Sequence, residues 1–225
     1  MVILRHVVEG RKKLLGPTHQ ESVESLNNLA IVLGNLGEHG EAEEILRSTI
    51  NCCENGLERV NPEIPRSFGI LGRQLECQGN HEDADVMYRR AIEGYERTLG
   101  AEHPHTLSWL SHLAQLLESQ KEYDKALPLY RKALTGLHKV LGPDHPEVLK
   151  LRENYLTFVE KLKVTVPNLL MGFLSQTPPL GTSSISSTKP ECISDWEEIS
   201  VCECSPLLGS TGTFQKIERH NRCNR

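Results

Sequence analysis

Apolar residues recur along this chain at helical spacing, and the helical stretches themselves recur. Val23, Leu26, Leu29, Ala30 and Leu33 fall on one face of a helix predicted over about 21–36. Gly37 punctuates a turn, and Ala42, Ile45, Leu46 and Ile50 mark a partner helix over 39–55. Phe68, Leu71, Gly72 and Leu75 carry the next helix to about Cys77, and Ala84, Met87, Tyr88 and Ala91 mark 81–98. Further helices are predicted over 104–119, 122–139 and 147–162. Leu99-Gly100 is repeated 42 residues on as Leu141-Gly142, and His103-Pro104 as His145-Pro146. The same step back reaches Leu57, then Leu15-Gly16. A fixed period near 40 residues indicates a solenoid of helical hairpins, so the expected fold is all-α.

The second join departs from the others. Leu57-Glu58 replaces Leu-Gly, and Asn61-Pro62 replaces His-Pro. Asn is a good N-cap and Pro suits the first helical position, so a helix start is predicted there, with Pro65 in its first turn. Superimposed at 42-residue steps, the hairpins align without a gap. Ala30, Gly72 and Ala114 form one column of small residues on the first helices. Ala42, Ala84, Ala126 and Thr49, Ala91, Ala133 form two more on the second helices, with Leu46, Tyr88 and Tyr130 as larger knobs. Leu29, Leu71, Leu113 and Leu33, Leu75, Leu117 are the apolar columns. Small residues suit places where two helix backbones approach closely. A large side chain at Ala84 or Ala126 is therefore expected to cost about 1–3 kcal/mol. Pro128 falls inside a second helix, where proline costs about 3 kcal/mol or kinks the helix. Glu44 and Val86 hold the matching positions, so that feature is local.

This spacing resembles the tetratricopeptide repeat, with Leu110, Leu113, Ala114, Leu117, Ala126, Tyr130 and Ala133 at matching positions. The 42-residue period and the LG-x-x-HP join are similar to the longer subclass found in kinesin light chains and nephrocystin-type proteins. The resemblance covers about residues 1–162. It implies a right-handed superhelix of antiparallel helix pairs whose first helices line a concave groove for peptides or a partner helix. Relatives often carry such arrays after a nucleotide-binding module. No G-x-x-x-x-G-K-[ST] occurs here, so nucleotide binding through a P-loop is not expected.

The apolar columns fix the buried face, which leaves other columns for the groove. One holds Asn28, Ile70, His112 and Asn154. In similar arrays an Asn at this place bonds the ligand backbone; Ile70 and His112 depart from that type. Neighbouring columns hold Glu24, Arg66, Ser108, Lys150 and Ile31, Arg73, Gln115, Thr157. Asn28, Arg66, Arg73, His112, Gln115, Lys150 and Asn154 are the candidate partner-binding residues, and Arg66, Arg73 and Lys150 give the groove a modest basic character. Ordinary solvated helix surface is the competing explanation, since exposed charge is the usual state of such residues.

The two ends break the pattern. Leu4 and Arg5 lie 42 residues before Leu46 and Arg47, so residues 1–14 occupy second-helix positions of a repeat that lacks its first helix. This reads as a short isoform, or as a fragment or degraded copy of a longer chain. The cut layer is apolar, so marginal stability or self-association through that end is expected. The final helix at 147–162 can act as a cap through Arg152, Glu153, Glu160, Lys161 and Lys163. From 163 to 225 the chain is expected to be mostly disordered, with a Ser/Thr/Pro-rich stretch at 175–190 and an apolar patch, NLLMGFL, at 168–174. Within it, Asp195, Trp196, Glu197 and Glu198 resemble the tryptophan-acidic peptides that kinesin light-chain grooves bind. They form a candidate ligand for the chain's own groove or that of a second copy. A surface tryptophan in a disordered tail is the plainer alternative.

Composition narrows the function classes. Of 225 residues 38% are hydrophobic but only 5% aromatic, which suits thin Leu/Ala helical layers. The net charge of −5 with mixed signs gives no general nucleic-acid surface, and no run is long enough to span a membrane. Seven cysteines without regular spacing suggest free thiols and a cytoplasmic protein. Cys52 and Cys53 read as half-buried helix residues, and Cys77 as packed at a helix end. Among ten histidines, His19, His103 and His145 recur because the join recurs, which argues against metal ligands. Cys192, Cys202, Cys204 and Cys223 lack a C-x2-C knuckle. No nucleophilic constellation stands out, and no cofactor or metal is expected. The sequence reads as a non-catalytic scaffold for a protein or peptide partner; the alternatives are a truncated recognition arm of a larger nucleotide-dependent signalling protein, or a copy without function.

Overall fold

The structure, a computed structural model, describes residues 2–55 and 61–165. Among these residues all regular structure is helical: α1 (Val2–Leu15), α2 (Gln20–Asn35), α3 (His39–Asn55), α4 (Ile64–Cys77), α5 (His81–Thr98), α6 (Pro104–Ser119), α7 (Tyr123–Leu141) and α8 (Pro146–Thr165). Helices α2/α3, α4/α5 and α6/α7 are hairpins. Each second helix also packs on the first helix of the next hairpin, and α1 packs on α2. The result is two rows, with α2, α4, α6 and α8 in one and α1, α3, α5 and α7 in the other. No described helix is long and apolar enough to cross a membrane.

The recurring joins act as helix caps. Nδ1 of His19, His103 and His145 accepts the backbone N–H two residues on, at 3.3, 3.2 and 3.3 Å. Oδ1 of Asn61 does the same for Glu63 at 2.9 Å. The histidines recur because a ring nitrogen, like the Asn side-chain oxygen, supplies an acceptor to a helix's first free amides. The start of α4 differs from the expectation. Asn61 O accepts from Ile64 N at 3.1 Å, closing a turn that holds Pro62, so the helix begins at Ile64 with Pro65 in its first turn. Gly37 and Gly79 end the first helices of two hairpins at φ of 85° and 80°. Lys121 holds the equivalent place in the third, at φ 64°, a left-handed conformation that costs a side chain roughly 1 kcal/mol.

The small columns are sealed: Ala42, Ala84, Ala126, Ala91 and Ala133 are fully buried. Thr49 fits among them by donating its hydroxyl to Ile45 O at 2.7 Å. Two hairpins carry a polar pin. Tyr88 donates to Glu76 at 2.6 Å, and one repeat later Tyr130 donates to Glu118 at 2.8 Å. Burial raises the Glu76 carboxyl above its ordinary range and the Tyr88 hydroxyl well above its own. The first hairpin has Gly34 and Leu46 at these two places, so neither polar group is stranded. Gln74 of α4 enters the space left over Gly34, where an added Cβ would lie 2.4 Å from its Oε1, and reaches His39 Nδ1 at 2.8 Å. Helix α7 runs unbroken through Pro128, whose ring faces solvent.

The second-helix row is laced by ion pairs between neighbours: Arg5–Glu41, Glu54–Arg90 and, at 3.6 Å, Glu96–Lys132. The Arg90 guanidinium also lies 4.0 Å from the centre of the Phe68 ring. Lys12 and Ser48 occupy the Glu54 and Arg90 positions one repeat earlier. There a pocket of about 450 Å³ opens between α1 and α3, floored by Val8, Leu26 and Leu29. Cys52 is exposed and Cys53 buried, not both half-buried, because successive positions on a helix point about 100° apart and only one can face the core. Cys77 is partly buried at the end of α4.

The outer helices are unequal. Helix α1 buries Val8 but leaves Val2, Ile3 and Leu14 more than 80% exposed. Helix α8 seats Val148, Leu151, Phe158 and Leu162, with the Phe158 ring 5.2 Å from Tyr130 and 5.9 Å from Tyr123. Leu149 and Leu156 remain on its outer side, 38% and 56% exposed.

Candidate partner-binding face

The first-helix row presents the candidate residues on adjacent helices, but it does not present them alike. At the α2–α4 junction, Arg66 donates to Asn28 Oδ1 at 3.1 Å and lies 3.5 Å from the Glu63 carboxylate. Two of the candidate residues thus hold each other, and the charge of Arg66 is partly balanced. Beneath them Asn27 is fully buried, accepting from Ser67 Oγ at 2.7 Å and donating to Glu63 O at 3.3 Å. This polar seam fixes the register of α2 against α4.

The centre of the row is aromatic. The Trp109 indole lies over Gly69 of α4, where an added Cβ would come within 2.4 Å of ring carbon Cζ2. Its ring centre is 5.9 Å from Tyr88 and 5.1 Å from His112. The His112 imidazole stacks on Tyr88 at 6.2 Å. Burial, with the charges of Arg73 and Lys150 nearby, pushes the His112 ring down to about 4, so it is neutral near pH 7. The nearby Tyr95 hydroxyl is pushed up to about 12, chiefly by burial and then by Glu63. Arg73 and Lys150 therefore approach a neutral imidazole from two different helices, α4 and α8. Ile70, in the Asn28 column, is buried and contributes packing only.

At the α6–α8 junction Ser108 donates to the Glu147 carboxylate, which burial raises above its ordinary range. Gln115 and Asn154 are partly buried on α6 and α8. The face thus combines a partly exposed indole, a neutral imidazole, two cations and amide groups. Such a set suits recognition of an extended or helical chain bearing apolar and acidic groups. His103 and His105 have their rings 5.2 Å apart, but His103 is committed to its cap and His105 lies against Tyr95 at 5.7 Å. Among the described residues no three metal-ligating side chains gather. Asp195, Trp196, Glu197 and Glu198 lie outside the described residues, as do the four tail cysteines.

Sequence reasoning passed over Trp109, Asn27 and Gln74. Each carried a sign: a polar residue beside an apolar column at Asn27 and Gln74, and, for Trp109, a bulky side chain where the preceding hairpin has Ser67.

Residues 22–63 and 63–137 match the tetratricopeptide repeat pattern, a continuous stretch covering just over half of the chain. No curated protein sequence matches significantly. Among solved structures, BtubC (BKLC) from P. vanneervenii superimposes with a TM-score of 0.62 at 16% identity, over 81% of this chain and 75% of that one. A glutamine-to-methionine variant of a Podosopora anserina putative kinesin light chain with nearly identical TPR-like repeats gives 0.59 at 22% identity, over 76% and 82%. Another crystal structure of that protein gives 0.58 at 20% identity, over 72% and 79%.

Proposed function

Because the chain belongs to the tetratricopeptide repeat family, we propose that it is a non-catalytic scaffold holding a protein partner, as a peptide or a helix, in the concave groove of its first-helix row. The observation that supports this reading is the aromatic and cationic centre of the row: Trp109 and His112 flanked by Arg73 and Lys150. The ligand side favoured by that centre is an apolar anchor with acidic neighbours. Residues 195–198 have that chemistry, so the tail is a ligand in cis or in a second copy. A cytoplasmic location fits the reduced state of Cys52, Cys53 and Cys77. The narrower relationship, to tetratricopeptide repeat protein 41 or a shortened form of it, rests on the 42-residue register of the joins.

The test is selection of a displayed random-peptide library on the full chain, followed by binding of the enriched peptides to Arg73→Glu and Lys150→Glu chains of unchanged helicity. Enriched peptides carrying an aromatic and acids, with affinity reduced about tenfold or more in the variants, support the groove. Enrichment that survives both substitutions refutes it. A peptide of residues 192–201 is titrated in parallel. Tighter binding to a Trp196→Ala chain than to the natural one identifies the tail as an internal competitor, and no binding to either removes the tail from the reading.

A further inference from the structure

Helix α8 occupies a first-helix place, yet two of its columns depart from those before it. Leu149 stands in the column of Val23, Pro65 and Leu107, all buried in the three hairpins. In those hairpins the column is closed by the second helix. A Cβ on Gly136 of α7 would meet Leu107, and one on Gly94 of α5 would meet Pro65. Leu156 stands in the column of Ala30, Gly72 and Ala114, where the backbones of a hairpin come closest: a Cβ on Gly72 would lie 2.9 Å from Tyr88 and 3.3 Å from Ala84 O. A leucine in that column cannot admit a second helix at the same distance. The two leucines, 38% and 56% exposed, therefore form an apolar ridge shaped for something other than a regular hairpin partner.

We propose that the chain's own segment Asn168–Leu174 docks on this ridge and closes the end of the array. Helix α8 is described as far as Thr165, and Pro167, two residues on, carries no backbone N–H. The next seven residues, NLLMGFL, carry five large apolar side chains and no charge. From Thr165 back to Leu156 is about 14 Å along the helix axis and to Leu149 about 24 Å. Residues 166–174 reach roughly 30 Å when extended, enough to run back over both leucines. A tether this short holds the segment at millimolar effective concentration, which favours it over a second copy at ordinary protein concentrations. The docked segment works as a stopper: it occupies the end on which another array would stack.

The experiment uses the full chain with p-benzoylphenylalanine in place of Leu156, irradiated at low micromolar concentration. Size separation and peptide mass spectrometry then locate the cross-link. The expected product is a monomer cross-linked within 168–174. A second form, with Leu169, Leu170, Met171 and Phe173 changed to Ser, should lose about tenfold or more of that product while keeping its helicity. It should also dimerise more readily, with the cross-link moving to another copy. A cross-link predominantly between copies in the unsubstituted segment, or to any other part of the chain, overturns the proposal. So does a folded chain that gives no product in 168–174.

Discussion

Replacing Gly69 by alanine tests the packing at the centre of the proposed groove. The added carbon would lie 2.4–2.5 Å from three ring carbons of Trp109, against an ordinary carbon contact of about 3.5–4 Å. The indole is a rigid plane and must withdraw by about 1 Å or more from its place beside His112 and Tyr88. Overpacking of this kind costs about 1–3 kcal/mol. Alanine also recovers about 1 kcal/mol of helix propensity over glycine. The expected net change is a loss of about 1 kcal/mol, small because the two terms oppose. The decisive comparison is the same substitution in a Trp109→Ala chain. There the clash is gone, the propensity gain remains, and Gly69→Ala should stabilise by about 1 kcal/mol. Urea unfolding of the four proteins, followed by far-UV circular dichroism, gives both signs. Tryptophan emission in a Trp196→Phe background reports displacement of the indole. Equal stabilisation in both backgrounds would refute the argument, because it would mean that Trp109 does not rest on Gly69.

Three other tests follow from the structure. His112 titrates near 4 in the folded chain against about 6.5 unfolded, so the unfolded chain binds the proton first. The stability concerned is complete above about pH 6.5 and is lost as pH falls through 4, to the extent of roughly 2–3 kcal/mol; His112→Asn should remove most of that acid lability in urea titrations at pH values across the window. Lys121→Gly should raise the unfolding midpoint by the equivalent of about 1 kcal/mol, since the position already has φ 64°; a decrease would show that the lysine side chain is needed there. Ser48→Arg combined with Lys12→Glu should recreate the Arg90–Glu54 arrangement over the pocket between α1 and α3 and add about 0.5–1 kcal/mol at low salt. Ser48→Arg alone, beside Lys12, should add nothing, and equal gains from the single and double changes would count against the pairing.

The period carried most of the fold. Once Leu99-Gly100 and Leu141-Gly142 are set in register, Ala42, Ala84 and Ala126 must share an environment, and all three are fully buried. The Asn61 join shows where register stops being enough. Its side chain caps in the same way as the histidines, but its carbonyl closes a turn over Pro62, and the helix begins later. The proposed groove was legible only as columns. A column tells which residues share a face; it cannot tell that Arg66 will turn toward Asn28, or that Trp109 will lie across a glycine on the neighbouring helix. Those contacts run between repeats. They depend on differences between equivalent positions, which superposition of repeats averages away. The exposed ridge of Leu149 and Leu156 was hidden for the opposite reason: α8 looked polar from its charges, and its two unmatched leucines emerged only against the columns of the earlier hairpins.

The uneven distribution of the tyrosine–glutamate pins gives the array a direction. A chain of stacked hairpins opens one unit at a time, and the order follows the local strength of each. Sliding α4 past α5, or α6 past α7, requires breaking a shielded phenol–carboxylate bond at one defined register. Between α2 and α3 the same two places hold Gly34 and Leu46, which form no such bond, and the space over Gly34 is filled from α4 by Gln74. Thermal opening, or a pull applied along the superhelix, therefore begins at α2/α3 and travels toward α8. Amide protons of α2 and α3 should exchange with solvent ahead of those in α6 and α7. A partner seated on Trp109 and His112 then sits on the portion that opens late, while the first hairpin behaves as a compliant lead-in to it.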